Sequence, residues 1–159
     1  MNKTYLKFVG VSLVLLLLMR YSGLLNGINY YQLNFGWVSG KIFVLASNWY
    51  MLVYDYLAIS VPKQERLDLE LLVQVRALTW GRQVAAFAKR DLPYLACLWL
   101  GHMPFMSTDW RQLIALIITS LIAVVLLHPV KKPAQTSTGI GIYVATCLLV
   151  LRTVLNSMG

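Results

Sequence analysis

The sequence predicts an all-α, polytopic integral membrane protein with about five transmembrane helices and one cytoplasmic amphipathic helix. Hydrophobic residues make up 58% of the 159-residue chain, charged residues only 13%, and the mean hydropathy is +0.65, values that soluble globular domains do not reach. The apolar residues also gather in runs long enough to cross a bilayer, for which about 20 residues of helix suffice. We therefore treat residues 1–159 as a single membrane domain.

The first predicted span covers residues 5–25. Lys3 and Lys7 precede its apolar run, a pattern that also suits a signal peptide, but no convincing small-x-small cleavage site follows Arg20. We expect an uncleaved helix with Arg20 as an anchor near its outer end. The following segment, Asn26 to Gly40, is rich in aromatic residues and is predicted to be a short connection at the water–lipid interface.

The second predicted span, residues 41–61, contains the most informative polar residues of the chain. At 100° per residue, Asn48 and Asp55 share one face of this helix with small residues, whereas the opposite face is apolar. Gly36 and Gly40 extend the first face as a small-xxx-small pair, which favours close helix packing. Because an ionisable group at such depth is costly, Asn48 and Asp55 are the intramembrane site candidates. The simpler alternative is that Asp55 reaches interfacial water or a neighbouring hydroxyl.

Pro62 is predicted to end the second span, and residues 64–89 form the predicted cytoplasmic helix. Two apolar stripes can be drawn on this helix, and a helix with two apolar faces needs two partners. Leu71, Val75 and Leu78 lie on one stripe and are predicted to dock a protein partner. The alternative is a surface helix whose basic residues contact lipid phosphates.

The remaining spans are predicted at residues 92–106, 110–130 and 138–156. Asp91 is predicted to cap the third span, with Pro93 in its first turn, although this apolar run is short. Asp109 and Gln112 have the spacing of a capping box for the fourth span. Small residues spaced four apart predict close-packing faces in the last two spans. They are Ala115, Thr119 and Ala123 in the fourth span and Gly141 and Ala145 in the fifth.

The basic residues predict the orientation. With five spans and the N-terminus inside, ten of the fourteen Lys and Arg residues lie on the inner side and four, Arg20, Lys41, Arg111 and Arg152, on the outer side. The positive-inside rule therefore favours a cytoplasmic N-terminus, an outer C-terminus and a location in the cell inner membrane. The basic residues stand at segment ends and form no stripe interleaved with aromatics, so nucleic acid is not an expected partner.

The second candidate site is an outer basic cluster of Arg20, His102, Arg111 and Arg152 beside Asp109. It could hold an anionic lipid headgroup or a partner's carboxylate, although snorkelling anchors explain the same residues with fewer assumptions. The two histidines, His102 and His128, are predicted at different depths, so no metal site and no cofactor is expected. By predicted depth, Tyr143 and His128 are the nearest candidate partners of Asp55.

The predicted function is that of a small, non-enzymatic membrane subunit or assembly partner of a larger inner-membrane complex of the secretion, conjugation or energy-transducing type. It rests on the close-packing faces, on the two-striped helix and on the lack of a recognisable catalytic motif. The alternative is a small proton-linked carrier or channel that uses Asp55. A lipid-processing membrane enzyme with an outward basic site is a further alternative.

Overall fold

A computed structural model describes residues 3–75, 80–127 and 137–158, without the side chains of residues 66–88 and 137. All regular structure in these ranges is helical. The helices are α1 (Lys3–Tyr21), α2 (Tyr30–Phe35), α3 (Ile42–Val75), α4 (Trp80–His102), α5 (Trp110–Leu127) and α6 (Ser137–Asn156), and a 3-10 turn at Met103–Phe105 follows α4.

Four helical segments within the described ranges are long and apolar enough to cross a membrane. They are Lys3–Tyr21, Ile42–Glu65, Trp110–Leu127 and Thr138–Asn156. The chain is therefore a multi-pass membrane protein. The predicted third span is not one of the four, because α4 carries Lys89, Arg90 and Asp91 in its middle and its apolar part begins only at Leu92.

Helices α1, α3, α4 and α5 alternate in direction. The ring of Tyr5, near the start of α1, lies 5.1 Å from the ring of Tyr94 in α4, and the Tyr94 hydroxyl donates to Glu65 of α3. Lys63 of α3 in turn donates to the carbonyl of Leu126 at the end of α5. Helix α4 therefore runs antiparallel to α3, and α5 runs parallel to α3.

Helix α6 completes the alternation. Near its beginning, Gly141 lies against the hydroxyl of Tyr56. Near its end, the carbonyl of Leu155 accepts a hydrogen bond of 2.8 Å from the Tyr31 hydroxyl. Tyr31 precedes α3 in the chain, so α6 runs antiparallel to α3 and returns to the side on which α3 begins.

Two predicted helix boundaries at prolines are wrong. Helix α3 continues through Pro62 to Val75, and α4 runs through Asp91 and Pro93, so Asp91 is not an N-cap. An internal proline costs one backbone hydrogen bond, but packed neighbours can offset this cost in membrane proteins. Both prolines precede a buried residue held by tertiary contacts, Lys63 in α3 and Tyr94 in α4. The described part of the predicted cytoplasmic helix falls in the end of α3, residues 64–75, and in the beginning of α4, residues 80–89.

The predicted two-sidedness of α3 is confirmed for its packing face, because Val44, Ser47, Asn48, Met51, Asp55 and Ala58 are buried. The opposite face agrees in part. Ile42, Leu45, Trp49 and Val53 are exposed, but Tyr56 and Leu57, also predicted on the lipid side, are half-buried. The extension of this face to Gly36 and Gly40 is wrong. Helix α3 begins only at Ile42, and Gly40 has a φ of +144°, which helical residues do not adopt.

The predicted packing residues of α5 are also confirmed, because Ala115, Thr119 and Ala123 are all buried. The capping prediction before α5 holds in part. Asp109 accepts a hydrogen bond from the backbone N–H of Arg111 at 3.0 Å, as expected of an N-cap. The side chain of Gln112 accepts from the backbone of Ser107 instead, so the reciprocal half of the capping box is missing.

Helix α1 ends at Tyr21, earlier than predicted. Gly23 has a φ of +75°, a left-handed conformation that commonly ends helices.

The predicted interfacial connection folds into the helix bundle. Asn29 caps α2 by accepting a hydrogen bond of 3.0 Å from the backbone N–H of Tyr31. The side chains of Tyr31, Leu33, Asn34 and Phe35 are then buried against the longer helices. A six-residue helix is not stable alone, so these tertiary contacts hold α2 in place, and its end forms one wall of the candidate site.

Candidate functional site

Asp55 is the acidic centre of the candidate site. It lies 13 residues after the start of α3 at Ile42, which corresponds to about 20 Å along the helix axis. Its position on the packing face turns the carboxylate towards α4 and α6, and the residue is only 4% exposed. An acid at this position requires compensation from its neighbours, because its charge is removed from water.

His102, the last residue of α4, is the first neighbour of Asp55. Its Nε2 lies 3.0 Å from Asp55 Oδ1, and its Nδ1 lies 3.3 Å from Asn34 Oδ1. The imidazole is fully buried and stacks on the ring of Phe35 with the centroids 4.8 Å apart. Both ring nitrogens therefore face oxygen atoms of the protein itself.

Arg152 of α6 is the second neighbour. Its Nη2 lies 3.6 Å from Asp55 Oδ2 and also donates to the carbonyl of Asn34 at 3.0 Å. Its Nη1 donates to the carbonyls of Gly36 and Asn48, each at 3.3 Å. The residue is 2% exposed. Because backbone carbonyls are acceptors for the fixed donors of a guanidinium, one arginine joins α6 to both α2 and α3.

Asn48 closes the end of α2. Its amide Nδ2 lies within 3.3 Å of three carbonyl oxygens, those of Gln32, Leu33 and Gly36. The last carbonyls of a helix have no partner within the helix. The Asn48 amide and Arg152 together donate hydrogen bonds to the backbone carbonyls at the C-terminal end of α2. Asn34 completes the site, since its Nδ2 donates to the carbonyl of His102 at 3.3 Å.

We call Asn34, Asn48, Asp55, His102 and Arg152 the polar cluster. It links α2, α3, α4 and α6 with one acid, one guanidinium, one imidazole and two amides. Three of its buried atoms, Asp55 Oδ1, His102 Nε2 and Arg152 Nε, have no well-aligned hydrogen bond in the described part of the chain. The 3.0 Å contact between the first two therefore brings them close without good hydrogen-bond geometry.

The structure divides the predicted outer basic cluster. His102 and Arg152 belong to the polar cluster, whereas the Arg20 guanidinium lies 4.0 Å from the ring centroid of Tyr30. Arg111 is exposed at the start of α5. The four residues thus do not form one outward-facing anion site, because the bundle draws two of them inwards to Asp55.

Of the two partners predicted for Asp55 from depth alone, the structure describes only Tyr143, and that prediction is wrong. Tyr143 lies beside Lys63, whose Nζ is 5.1 Å from the centroid of the tyrosine ring, and His128 lies outside the described residues. The Nζ of Lys63 also donates to the carbonyl of Leu126 at 2.6 Å, a favourable position for a cation because helix C-termini carry partial negative charge. Sequence reasoning missed Asn34 and the role of Lys63, and neither shows a local pattern that would identify it.

Leu71, Val75 and Leu78 cannot be compared with the structure. The side chains of Leu71 and Val75 fall in residues 66–88, and Leu78 lies outside the described residues altogether.

Across the described ranges, no three His, Cys, Asp or Glu residues lie close enough to hold a metal ion together. The chain matches no protein-family model, no curated protein and no solved structure.

Proposed function

We propose that this protein is a non-enzymatic subunit or assembly partner of a larger membrane complex, with the cell inner membrane as its location. The observation that carries this proposal is the length of α3. At 34 residues the helix is about 51 Å long, whereas the hydrocarbon core is about 30 Å thick. From Lys63 onwards the sequence of α3 is rich in charge, with Lys63, Glu65, Arg66, Asp68 and Glu70 within eight residues. We therefore expect the last part of α3 to extend past the membrane, where a partner can reach it.

The residues of this extension favour a protein partner over water. Its sequence, from Arg66 to Val75, contains six leucine and valine residues and four charged or polar ones. Leu71 and Val75 belong to one predicted apolar stripe, and Leu69 and Val73 belong to the other. Helix α4 packs antiparallel beside α3 at Glu65, where Arg90 Nη2 lies 3.5 Å from the Glu65 carboxylate. Because a helix with two apolar stripes needs two partners, we expect one stripe to bind an apolar helix of a second protein.

The geometry of the polar cluster supports a role without catalysis. A general base needs a ring nitrogen or carboxylate oxygen directed at a substrate, but His102 directs both nitrogens at Asp55 and Asn34. Arg152 directs its donors at three backbone carbonyls. These groups join helices to one another, as the core of an assembly module requires.

Purification of the full-length protein in mild detergent tests this proposal. A subunit should bring stoichiometric partners with it. Changing Leu71 and Val75 to Ser should leave membrane insertion intact and reduce partner recovery, because these residues lie beyond the spanning segment. Unchanged partner recovery in this variant, at equal protein yield, would contradict docking through this stripe.

A matched control comes from the other stripe of the same helix. Leu69→Ser with Val73→Ser removes the same types of side chain and should leave partner recovery per folded molecule at the level of the unaltered protein. If the two double variants lose partners equally, the docking surface is not confined to the stripe that contains Leu71 and Val75.

A small proton-linked carrier or channel is the second candidate function. The observation that favours it is the buried contact between Asp55 and His102, whose facing atoms lie 3.0 Å apart. Acids and histidines inside membranes form proton relays in transporters. Reconstitution of the purified protein into vesicles with an entrapped pH indicator would test this function, and proton flux above that of empty vesicles would support it.

A further inference from the structure

We propose that the Asp55–His102 pair is a proton-binding site that holds one exchangeable proton inside the bundle. His102 Nε2 and Asp55 Oδ1 are 3.0 Å apart, and neither atom has a well-aligned hydrogen bond in the described residues. Because the two atoms face each other at this distance, a proton shared across the contact would compensate both of them within the polar cluster. The site is independent of the subunit role proposed above, because a structural cluster and a transport site can both hold a proton.

Asn34 determines whether Nδ1, the other ring nitrogen of His102, carries a proton. Its Nδ2 donates to the carbonyl of His102, so its Oδ1 is the atom that faces His102 Nδ1 at 3.3 Å. Rotating the amide by 180° would bring Oδ1 against the His102 carbonyl, and two acceptors would then face each other. Nδ1 must therefore carry a proton to donate to Asn34.

The remaining contact then requires a second proton. With Nδ1 protonated, a neutral ring has a bare Nε2, which would meet the Asp55 carboxylate as one acceptor facing another. One more proton removes this repulsion, either as imidazolium beside carboxylate or as neutral imidazole beside carboxylic acid. The two forms contain the same number of protons, so the proton belongs to the pair. It is taken from water and returned to water without any redox change.

The surroundings define the competing arrangement. Arg152 is the charged group that contacts the pair from α6. From α2, Asn34 and the ring of Phe35 contact His102. In the described residues, no ion pair joins Asp55 or His102 to α1 or α5. With the extra proton, Asp55, His102 and Arg152 together carry one positive charge. In the competing arrangement, His102 is neutral and protonated only on Nε2, and Asp55 is ionised. The three residues then carry no net charge, and burial favours a neutral group of residues. This arrangement requires the reversed Asn34 amide.

Nitrogen-15 NMR of the full-length protein in bilayers distinguishes these arrangements. The chain contains two histidines, so labelling with ring-¹⁵N histidine gives two ring systems, and His128→Gln identifies the signals of His102. At neutral pH we expect a protonated Nδ1, together with an Nε2 signal displaced from the bare-nitrogen position by the shared proton. A bare Nδ1 with a protonated Nε2 would overturn the proposal.

Asp55→Asn provides a second test in the same preparation. Asparagine can donate an amide N–H to Nε2 but cannot share a proton with it, so the Nε2 signal should move to the bare, hydrogen-bonded position while Nδ1 stays protonated. An Nε2 signal that this substitution leaves unchanged would also overturn the proposal. The unaltered protein is informative by itself, so the test stands even if the variant folds poorly.

Discussion

A buried carboxylate in a membrane protein depends on its neighbours, and Asp55 depends on His102 and Arg152. Asp55→Asn keeps the size and hydrogen-bonding capacity of the side chain, whereas Asp55→Leu removes the polar group. If the polar cluster serves to hold the helices, the Asn variant should assemble and function, and the Leu variant should lose at least about 1 kcal/mol more, because polar partners are left unsatisfied. The measurement is cellular function and complex recovery for the two variants side by side.

The outcomes of this pair separate the two candidate functions. A proton-linked carrier should fail in Asp55→Asn even when the variant is recovered in normal amount, because asparagine cannot exchange a proton. Full activity of the Asn variant would eliminate the proton-linked function and leave the subunit role.

Gly101 is a position where a single methyl group should matter. A Cβ at this residue would overlap the ring of Tyr54, which is buried and held by donation of its hydroxyl to the Cys97 carbonyl. Gly101→Ala should therefore lower the free energy of unfolding by about 1–3 kcal/mol, as overpacking does. The check is the midpoint of SDS-induced unfolding.

Gly10→Ala is the matched control for this change. Gly10 also lies in a helix, but a Cβ there meets nothing within 4 Å, and alanine is the better helix former. We expect no loss of stability in the control. Equal effects at the two positions would show that Gly101 is not a packing site.

At the scale of the element, α2 and the chain that follows it are held to the end of α6 by two hydrogen bonds. The Tyr31 hydroxyl donates to the Leu155 carbonyl at 2.8 Å, and the backbone N–H of Trp37 donates to Asn156 Oδ1 at 2.9 Å. Tyr31→Phe should therefore cost about 1 kcal/mol of unfolding free energy at neutral pH. SDS-induced unfolding of the variant beside the unaltered protein measures this loss.

This difference should depend on pH in a defined direction. Burial raises the pKa of the Tyr31 hydroxyl above its ordinary value, while Arg111 acts in the opposite sense. A raised pKa means that the fold favours the neutral hydroxyl, so its contribution is complete below about pH 10 and is lost as the pH rises above that value. The stability advantage over Tyr31→Phe should shrink at alkaline pH. An advantage that grows there would contradict this assignment.

At the scale of the whole molecule, we predict five crossings, with α4 as a crossing in addition to the four long apolar helices. Helix α4 ends at His102, beside Asn34 of the chain that precedes α3, so it returns across the bundle. With five crossings the chain termini lie on opposite sides. Omitting α4 would put them on the same side.

Reporter fusions test this topology. A phosphatase or fluorescent reporter after Gly159 should report the outer side, and one inserted near Gln74 the inner side, because most basic residues then lie inside. Both reporters on one side, or the reverse pattern, would contradict the five-span arrangement with an inner N-terminus.

The sequence alone determined the membrane class and the two-sidedness of single helices. Burial of apolar residues in lipid depends on composition and run length, and a helical face depends on spacing within one segment. For these reasons the buried face of α3 and the packing residues Ala115, Thr119 and Ala123 could be predicted without a structure. Asn48 and Asp55 were identified as candidates for the same reason, as polar residues on a packing face.

Only the tertiary structure decided which residues meet at that face. Asp55 meets His102 and Arg152, which are distant in the sequence and which the sequence placed in a separate outer cluster, and no local pattern encodes such pairings. Tertiary contacts also carried α3 through Pro62 and drew α2 into the bundle. For α3 the free energy of packing outweighs the local preference for a helix end at a proline, and for α2 it outweighs the instability of an isolated six-residue helix.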